Sequence, residues 1–568
     1  MTAGSKDALQ LSVNGMMREN TGKIVLGFFT FLLISGMLFV EYHFEIKNKE
    51  LNLYFMAGRE MIQAWRKDKV YYLFLPSHIS LEEVTLASFS PEFYVLNKGE
   101  TIEKKESLKG LCREETLLCQ TVEKKEHFSL QIRQSENLAS VFVETKEKDL
   151  ARIKADKEYK SRGSMVVIDE KGELIKEVGL KCIRGRGNTS FAGYEKKPYS
   201  LELKEEAGIL GLPAGVNYAL ISNASDPSLI RNDMGRWMEQ EMNLKYSHRG
   251  RFVDLYIDGC YEGNYYLCDD IEIGEERINI RNMEAAMDLV YKYNNYQSEE
   301  IYETKNAKAR NMSVALEDIS GGYLLEREYR DRYLHEYEQI NSGFITHGKE
   351  HFVVKNPSYC SVEQIEYIRG FLNEAEAAIM DPLGKNHKTG KKYTDYIDID
   401  SFVKRYLAEE VTKNYDGGVS SSYFYKDSLE NQGKLCAGPG WDYDMSLGNY
   451  VEWMEDFSKN PEGISKLTHH TFFSPWYTKL YDKKEFYALI VENYMAYVGP
   501  FLEMLLDRGL REYKEMLEAS AAMNEIRWEQ ELMKNPYYHS REETFRVLEQ
   551  FLEARKTYLD GVWKPQVE

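Results

Sequence analysis

The chain has 568 residues, of which 43% are hydrophobic and 13% aromatic, and this composition excludes a disordered protein. The length leaves room for two or three domains with a sizeable core. A net charge of -19 argues against nucleic acid as a partner, because phosphate backbones require a basic surface, and it favours basic protein partners.

The N-terminal region contains a run of 17 uncharged, mostly apolar residues at 24–40, which follows Arg18 and Lys23. Its length of about 25 Å as a helix is at the short end for a membrane span. We predict a single-pass signal anchor, preceded by a short tail at residues 1–23, and a cleaved signal peptide is the alternative. The three basic and two acidic groups of the tail favour a protein body outside the cytoplasm.

Residues 45–155 mix charged stretches with short apolar runs, and we interpret them as a membrane-proximal α/β region whose role the sequence does not show. The almost wholly charged segment 146–162 is typical of a helical connector. Beyond it, the alternation of apolar residues predicts antiparallel strands at 165–168, 179–184 and 199–203.

The middle of the chain predicts a hairpin at 253–267, because Asp258-Gly259 is a favourable two-residue turn. The polar residues 285–318, rich in Asn and Lys, are expected to form a surface insertion. Further on, Ser361-Val-Glu-Gln364 is a capping box that opens a helix, a second amphipathic helix covers 401–413, and a last helix follows the cap Ser540. A strand-rich front half and a helical back half indicate an α+β protein.

Two acids stand two residues apart in the segment Gly438-Pro-Gly-Trp-Asp-Tyr-Asp-Met-Ser-Leu-Gly448. If this run is a strand, Asp442 and Asp444 point to the same face, and crowded carboxylates repel unless a cation or proton lies between them. Mg²⁺ or Mn²⁺ suits such a pair, whereas a solvated or arginine-paired acidic turn is the plain alternative. Asp416 precedes Asp442 by 26 residues and ends the 401–413 helix, where the following glycines expose it.

Cations for a phosphate cradle are present in the front half. Arg184 and Arg186 alternate with glycines that let backbone N–H groups approach a phosphate closely, although a solvated turn is the alternative and no Walker motif is present. Lys196 and Lys197 precede the strand at 199–203. Its apolar alternation favours Lys197 as the lysine that faces inward.

The order of these segments resembles the CotH-type kinases, the spore coat protein H group of atypical protein kinases. The resemblance covers roughly residues 160–563. It rests on the following segments in chain order: Ile183-Arg-Gly-Arg-Gly-Asn-Thr-Ser190, Lys196-Lys-Pro-Tyr-Ser-Leu-Glu-Leu203, Asp226-Pro-Ser-Leu-Ile-Arg-Asn232, Leu255-Tyr-Ile-Asp-Gly-Cys-Tyr-Glu-Gly-Asn-Tyr-Tyr-Leu267, Gly321-Gly-Tyr-Leu-Leu-Glu326, Asp400-Ser-Phe402, Asn414-Tyr-Asp416, Ser422-Tyr-Phe-Tyr-Lys-Asp427, the Trp-Asp-Tyr-Asp segment and Phe551-Leu-Glu-Ala-Arg-Lys-Thr-Tyr-Leu-Asp-Gly-Val-Trp563.

The resemblance implies a two-lobed, divergent protein-kinase-like fold, with a strand-rich lobe at about 160–330 and a helical lobe at about 355–563. It implies that Asp416 orients the attacking hydroxyl, that Asp442 binds a metal with Asp444 as second ligand, and that a lysine at 196 or 197 contacts a phosphate. Where protein kinases carry a metal-binding Asn, five residues beyond the catalytic acid, this chain has Ser421.

The function implied by the resemblance is transfer of the ATP γ-phosphate to Ser or Thr hydroxyls of surface or coat proteins, with Mg²⁺ or Mn²⁺. Bacterial origin and a spore-coat or cell-surface location are implied with it. Ser421 keeps open a weak or inactive pseudokinase that acts in surface or spore-coat assembly. The same cradle also suits nucleotidyl transfer, which would present the α-phosphate instead. Arg231, Asn232, Asp269 and Asp270 also fall in family segments, and pairing between arginine and carboxylate accounts for them equally well.

Overall fold

The computed structural model divides the chain into two compact units, Met1–Leu73 with Ser80–Ile132, and Phe74–Ile79 with Arg133–Glu568. The predicted anchor at 24–40 lies outside the described residues, and in the part of the chain that is described no helix is long and apolar enough to cross a membrane. The described residues are 52–89, 93–97, 100–102, 108, 116–121, 127–291, 296–418, 420–449, 459–468, 475–535 and 540–564.

The elements alternate between strand-rich and helical stretches along the chain. The strands are β1 (Leu53–Ala57), β2 (Glu60–Lys67), β3 (Val70–Leu75), β4 (Val84–Phe89), β5 (Phe93–Asn97), β6 (Glu100–Ile102), β7 (Thr116–Thr121), β8 (His127–Gln134), β9 (Ala139–Thr145), β10 (Ser161–Ile168), β11 (Leu174–Gly185), β12 (Tyr199–Ala207), β13 (Gly215–Ile221), β14 (Gly250–Ile257), β15 (Cys260–Asp269), β16 (Ile301–Thr304), β17 (Ala307–Arg310), β18 (Tyr323–Glu328), β19 (Gly343–Ile345), β20 (His351–Asn356), β21 (Ser422–Lys426) and β22 (Leu435–Ala437). The helices are α1 (Leu150–Ala155), α2 (Thr189–Gly193), α3 (Arg231–Glu241), α4 (Met283–Val290), α5 (Arg330–His335), α6 (Val362–Met380), α7 (Tyr393–Tyr396), α8 (Ile399–Thr412), α9 (Pro475–Tyr481), α10 (Lys484–Asn493), α11 (Gly499–Met504), α12 (Leu510–Leu532) and α13 (Arg541–Trp563).

The first unit is built on antiparallel strands. β1 pairs with β2 and with β4, and β5 pairs with β6 and β7. Leu53, Phe55 and Ile62 alternate along β1 and β2 with less buried residues and are fully buried, which is the pattern of strands with one face in a core. Nothing in its described residues assigns this unit a role.

In the second unit, the first half of the chain forms a closed seven-stranded sheet in the order β13, β12, β11, β10, β9, β14 and β15, which closes when β13 pairs with β15. The strands and the hairpin predicted from the sequence are confirmed. The prediction of a kinase-like, strand-rich lobe is wrong, because these strands form a closed sheet. Its core includes Val141, Ile183 and Leu255. β9 is part of the closed sheet, so the sheet begins before residue 160, where the domain was expected to start.

A second sheet follows the order β16, β17, β19, β20, β18, β21 and β22. Its strands come from both of the lobes predicted at 160–330 and 355–563, since β18 pairs with β20 on one side and with β21 on the other. The predicted surface insertion at 285–318 supplies β16 and β17 to this sheet. Ala307 and Ala309 of β17 are 3% and 0% exposed, so this part of the segment is core and the expectation of a surface insertion is wrong there.

The helices of the second half confirm the predicted caps. Ser361 accepts a hydrogen bond from the Gln364 amide, and the Gln364 side chain accepts one from the Ser361 amide, which closes the capping box of α6. At the start of α13, the Ser540 side chain likewise accepts a hydrogen bond from the backbone amide of Glu543. α8 begins at the cap Asp398. The described residues therefore form an α+β protein with strand-rich and helical parts.

Candidate active site

Asp416 stands in the loop that follows α8. The helix ends because Lys413 adopts a left-handed φ of 50°, and its amide then donates to the carbonyls of Glu409 and Glu410, a common helix C-terminal arrangement. The Asn414 side chain accepts a hydrogen bond from the Asp416 amide at 3.3 Å. The loop therefore holds Asp416 close to the rigid end of a buried helix.

Asp442 and Asp444 lie in a loop, because β22 ends at Ala437 and the residues from 438 to 449 are irregular. The prediction of a strand here is therefore wrong, and strand alternation does not explain why Asp442 and Asp444 lie close together. Asp442 has a left-handed φ of 66°, a conformation that aspartate tolerates better than most side chains. Tyr443 is fully buried between them and donates to Glu239 at 2.6 Å.

The two acidic loops are joined by hydrogen bonds. The Tyr415 amide donates to the Met445 carbonyl at 3.1 Å, and the Leu447 amide donates to the Thr412 carbonyl at 2.7 Å. The Asn414 side chain also donates to the Asp442 carbonyl at 3.1 Å. These bonds bring the three carboxylates to one place, although neither loop belongs to a sheet at that point.

The electrostatics of the three acids show how closely they are crowded. Burial raises the pKa of the Asp416 carboxyl to about 6, with Asp444 adding to the rise. Burial and the charge of Asp442 raise the pKa of Asp444 to about 8, although the Ser225 hydroxyl donates to it. Burial and Asp416 also raise the pKa of Asp442. Crowding of this kind favours a bound proton or a cation among the three carboxylates, most strongly at Asp444.

The donor set fits a hard divalent cation shared with a ligand. Mg²⁺ usually binds through one or two carboxylates and fills its coordination sphere with waters and substrate phosphates. Among the described residues, no three His, Cys, Asp or Glu side chains are arranged to hold a metal ion by themselves. Asp442 and Asp444 are the residues that would hold such a cation, and the Ser421 hydroxyl, which lines the same cavity, would be a further oxygen ligand.

The acids open onto a cavity of about 890 Å³. Arg184, Arg186 and Ser421 also line it. The Arg186 guanidinium lies over the Trp441 ring, at 4.8 Å from its centroid, and 4.0 Å from the Asp270 carboxylate. Its Nη1 is buried and has no hydrogen-bond partner within the described part of the chain. A buried donor without a partner favours the binding of an anion, and the neighbouring carboxylates favour a cation beside that anion.

Comparison with known families assigns the chain to one of them. The model of the CotH kinase protein family matches residues 183–559, which is about two thirds of the chain. The chain belongs to the CotH kinase protein family. No curated protein matches the chain. The family match includes both acidic loops, Arg184, Arg186 and the second sheet, so all of the described cavity lining except Lys157 and Glu158 lies within the CotH-family part of the molecule.

The two lysines expected at the CotH phosphate cradle are directed elsewhere. Lys196 is 1% exposed, and its Nζ donates to the Asn264 carbonyl at 2.6 Å. Burial lowers the pKa of this lysine to about 7. Lys197 donates to the Phe191 carbonyl at 2.8 Å. Neither is among the described residues that line the cavity, because Lys196 packs against β15 and Lys197 packs against α2.

Two other lysines, Lys157 and Lys355, line the cavity, and Lys355 of β20 is the one paired with a carboxylate of the second sheet. Its Nζ lies 3.0 Å from a carboxylate oxygen of Glu326 on the neighbouring strand β18, and this charge raises the pKa of Lys355. Although burial alone would raise the pKa of Glu326, Lys355 and Arg332 hold it below its ordinary value. Sequence reasoning missed Lys355, which stands in no recognisable motif, whereas Glu326 ends a segment that the family resemblance included.

Glu328 and Arg332 form a second pair on the same wall of the cavity. The Arg332 guanidinium lies 3.4 Å from the Glu328 carboxylate and donates to the Ser420 hydroxyl at 2.7 Å. Burial and the neighbouring Glu326 raise the pKa of Glu328 to about 8. Arg332 thereby supplies a positive charge close to Asp416, whose pKa it lowers.

Arg231 and Asn232 position the loop that carries Asp442. Arg231 forms a buried ion pair with Asp226 and donates to the carbonyls of Ser446 and Leu447, at 3.0 and 3.3 Å. Asn232 accepts from the Tyr443 amide at 2.8 Å. Pairing with a carboxylate, which the sequence left as the alternative to a role in the site, therefore accounts for Arg231. Asp270 lines the cavity, whereas Asp269 accepts from the Arg249 amide.

Proposed function

We propose that this CotH-family chain is a metal-dependent phosphotransferase that moves the γ-phosphate of ATP to Ser or Thr hydroxyls of surface or coat proteins. The observation that carries the proposal is the convergence of Asp416, Asp442 and Asp444 on one cavity with Arg184 and Arg186. Phosphoryl transfer needs an acid that orients the attacking hydroxyl, beside charges that neutralise the phosphates. ATP is the proposed substrate and Mg²⁺ or Mn²⁺ the proposed cofactor.

Each residue has a separate task in the proposed reaction. Asp416, with its pKa near 6, is ionised at neutral pH and accepts the proton of the acceptor hydroxyl. Arg186 offers its unpaired Nη1 to a phosphate oxygen, and Lys355 adds a charge that Glu326 holds in place. Asp442 and Asp444 would hold the divalent cation, which neutralises charge on the phosphate oxygens.

Acceptor proteins with basic surfaces fit the proposal, because the chain carries a net charge of -19. We include in the proposal that the anchor at 24–40 tethers the enzyme to a membrane with its body outside the cytoplasm.

A second function is favoured by one observation. Ser421 lines the cavity where protein kinases use a metal-binding Asn, and the described residues hold no complete metal cluster. A chain with this site could bind a nucleotide tightly without transferring phosphate, and would then act in surface or coat assembly.

The test is a transfer assay with the full-length chain, Mn²⁺ or Mg²⁺, and ATP labelled at either the γ or the α position. Basic proteins that contain Ser serve as acceptors. Asp416→Asn removes the proposed proton acceptor. Asp400→Asn is the matched control, because Asp400 pairs with Lys404 on the exposed side of α8, with a 58% exposed side chain.

Transfer of the γ label that disappears in Asp416→Asn and persists in Asp400→Asn supports the kinase. Transfer of the α label instead moves the assignment to nucleotidyl transfer. Metal-dependent ATP binding without transfer of either label supports the assembly function. Equal γ transfer by both variants contradicts the role proposed for Asp416.

A further inference from the structure

A second cavity, of about 580 Å³, lies apart from the acidic loops. Among the described residues, its lining contains four arginines and two acids. The arginines are Arg236 of α3, Arg249 immediately before β14, Arg251 of β14, and Arg277 after β15, and the acids are Asp269 and Glu276. The chain as a whole has a net charge of -19, so a cavity lined by twice as many arginines as acids differs from the average composition of the molecule.

Two of the four arginines are accounted for by the fold. Arg236 lies 2.7 Å from the Asp233 carboxylate and donates to Gln240. Arg277 lies 2.6 Å from the Glu272 carboxylate and donates to backbone carbonyls of the closed sheet. These buried pairs fix the walls of the cavity, and their charges are already neutralised.

The other two arginines are not neutralised. The side chains of Arg249 and Arg251 are exposed, and neither has a carboxylate partner in the part of the chain that the structure describes. The only hydrogen bond found there for either guanidinium runs from Arg251 to the carbonyl of Gly250, at 2.9 Å. Two fork-shaped donors with a combined charge of +2 therefore face one cavity.

The two acids of the lining form no ion pair with Arg249 or Arg251 among the described residues. The Asp269 carboxylate is occupied by the Arg249 amide and is buried. The Glu276 carboxylate accepts a hydrogen bond from the Ala214 amide at 2.7 Å. Both acids thus have backbone donors, which leaves the two guanidinium groups as the unpaired charge-assisted donors of the cavity.

We propose that this cavity is a docking site for a phosphorylated side chain, phosphoserine or phosphothreonine, in a protein segment. A phosphate monoester carries a charge of about -1.5 to -2 at neutral pH, which matches the two free arginines, whereas a carboxylate supplies half of that charge. Arginine binds phosphate with two parallel hydrogen bonds, so a pair of arginines can hold three phosphate oxygens.

The size of the cavity favours a phosphate that is attached to a chain over free phosphate. A phosphate group fills only a small part of 580 Å³. The rest of the lining offers amide and hydroxyl groups, from Gln240, Asn243 and Ser247, beside Leu244 and Tyr246, and these suit the backbone and side chains of a peptide. The site does not depend on the chain transferring phosphate itself.

The experiment measures the affinity of the full-length chain for a fluorescent peptide with one phosphoserine, by anisotropy in low salt. The variant R249Q/R251Q removes both free charges and leaves every ion pair of the fold intact. Arg511→Gln is the matched control, an exposed arginine on α12 outside both cavities. R184Q/R186Q reports on binding in the acidic-loop cavity instead.

We expect R249Q/R251Q to weaken phosphopeptide binding at least about tenfold, while Arg511→Gln and R184Q/R186Q leave it unchanged. The unphosphorylated peptide should bind at least about tenfold more weakly than the phosphopeptide. Equal binding of the two peptides, loss of binding in R184Q/R186Q alone, or no binding at millimolar concentration would overturn the proposal. Competition by inorganic phosphate at the same concentration as the phosphopeptide would also overturn it, because the peptide would then contribute nothing.

Discussion

Removing Arg231 tests whether the loop that carries Asp442 is held by one buried ion pair. Arg231 and Asp226 are 3% and 0% exposed, and the arginine also donates to two loop carbonyls. Arg231→Met keeps the length and apolar stem of the side chain, but leaves the Asp226 carboxylate without its cation. The change therefore removes a charge partner without creating a large cavity.

The expected cost follows from what is left behind. Removing one partner of a buried pair costs about 3–5 kcal/mol, and each carbonyl without its donor adds about 1 kcal/mol. Since the Ser228 and Arg231 amides still donate to Asp226, part of that cost is relieved. We expect Arg231→Met to lower the free energy of unfolding of the second unit by about 4 kcal/mol.

Urea unfolding followed by tryptophan fluorescence measures the loss, and Mn²⁺–ATP affinity measures displacement of the loop. Adding Asp226→Asn to Arg231→Met removes the uncompensated charge and should recover about half of the lost stability. Arg546→Met removes an exposed pair with Glu543 and should change nothing measurable. A loss below about 1 kcal/mol in Arg231→Met, or no recovery in the double variant, would refute the reasoning.

Three further predictions concern charge and capping. Stabilisation by Mn²⁺ with ATP should be larger at pH 8 than at pH 6, because burial and Asp442 raise the pKa of Asp444 to about 8 and protons compete with the cation below it. In the metal-free protein, the raised pKa gives stability that is complete below the ordinary value of 3.8 and is lost as the pH rises toward 8. Lys355→Met should weaken ATP binding about tenfold, whereas Lys197→Met should leave it unchanged. Ser361→Ala should lower stability by about 1 kcal/mol through loss of the α6 cap, without affecting ATP binding.

Thermal shift assays across pH, nucleotide titrations and urea unfolding check these three in turn. A Mn²⁺ effect that is equal at both pH values, or that persists in Asp444→Asn, contradicts the first. Weakened ATP binding in Lys197→Met, with none in Lys355→Met, would restore the lysine expected from the sequence. A Ser361→Ala variant as stable as the unaltered chain would show that the capping box contributes nothing.

The sequence predicts the local elements of the site better than their assembly. The helix before Asp416 has apolar periodicity and a clear end, so its position could be read directly. Asp416 converges with Asp442 and Asp444 through hydrogen bonds between two loops, and such contacts between distant segments leave no periodic pattern. The expected strand was therefore wrong, even though both acids line the cavity.

The error with the lysines has a different physical origin. Alternation along β12 says which residues share a face, but it does not say whether that face meets a cavity or a core. Because the sheet closes on itself, Lys196 is buried against the Asn264 carbonyl. Lys355 reaches the cavity through the pairing of β18 with β20, a contact set by tertiary structure alone.

The second sheet has a mechanical consequence for how the cavity handles its ligands. Glu326 and Lys355 stand on adjacent strands of this sheet, and β21, which follows the Asp416 loop, extends it. The ion pair is thus part of one sheet, and the Asp416 loop leads directly into a strand of that same sheet. Adjustment to an incoming nucleotide falls to the segment that follows β11, which begins with Arg186, so we expect amide exchange there, and not in the second sheet, to record occupancy.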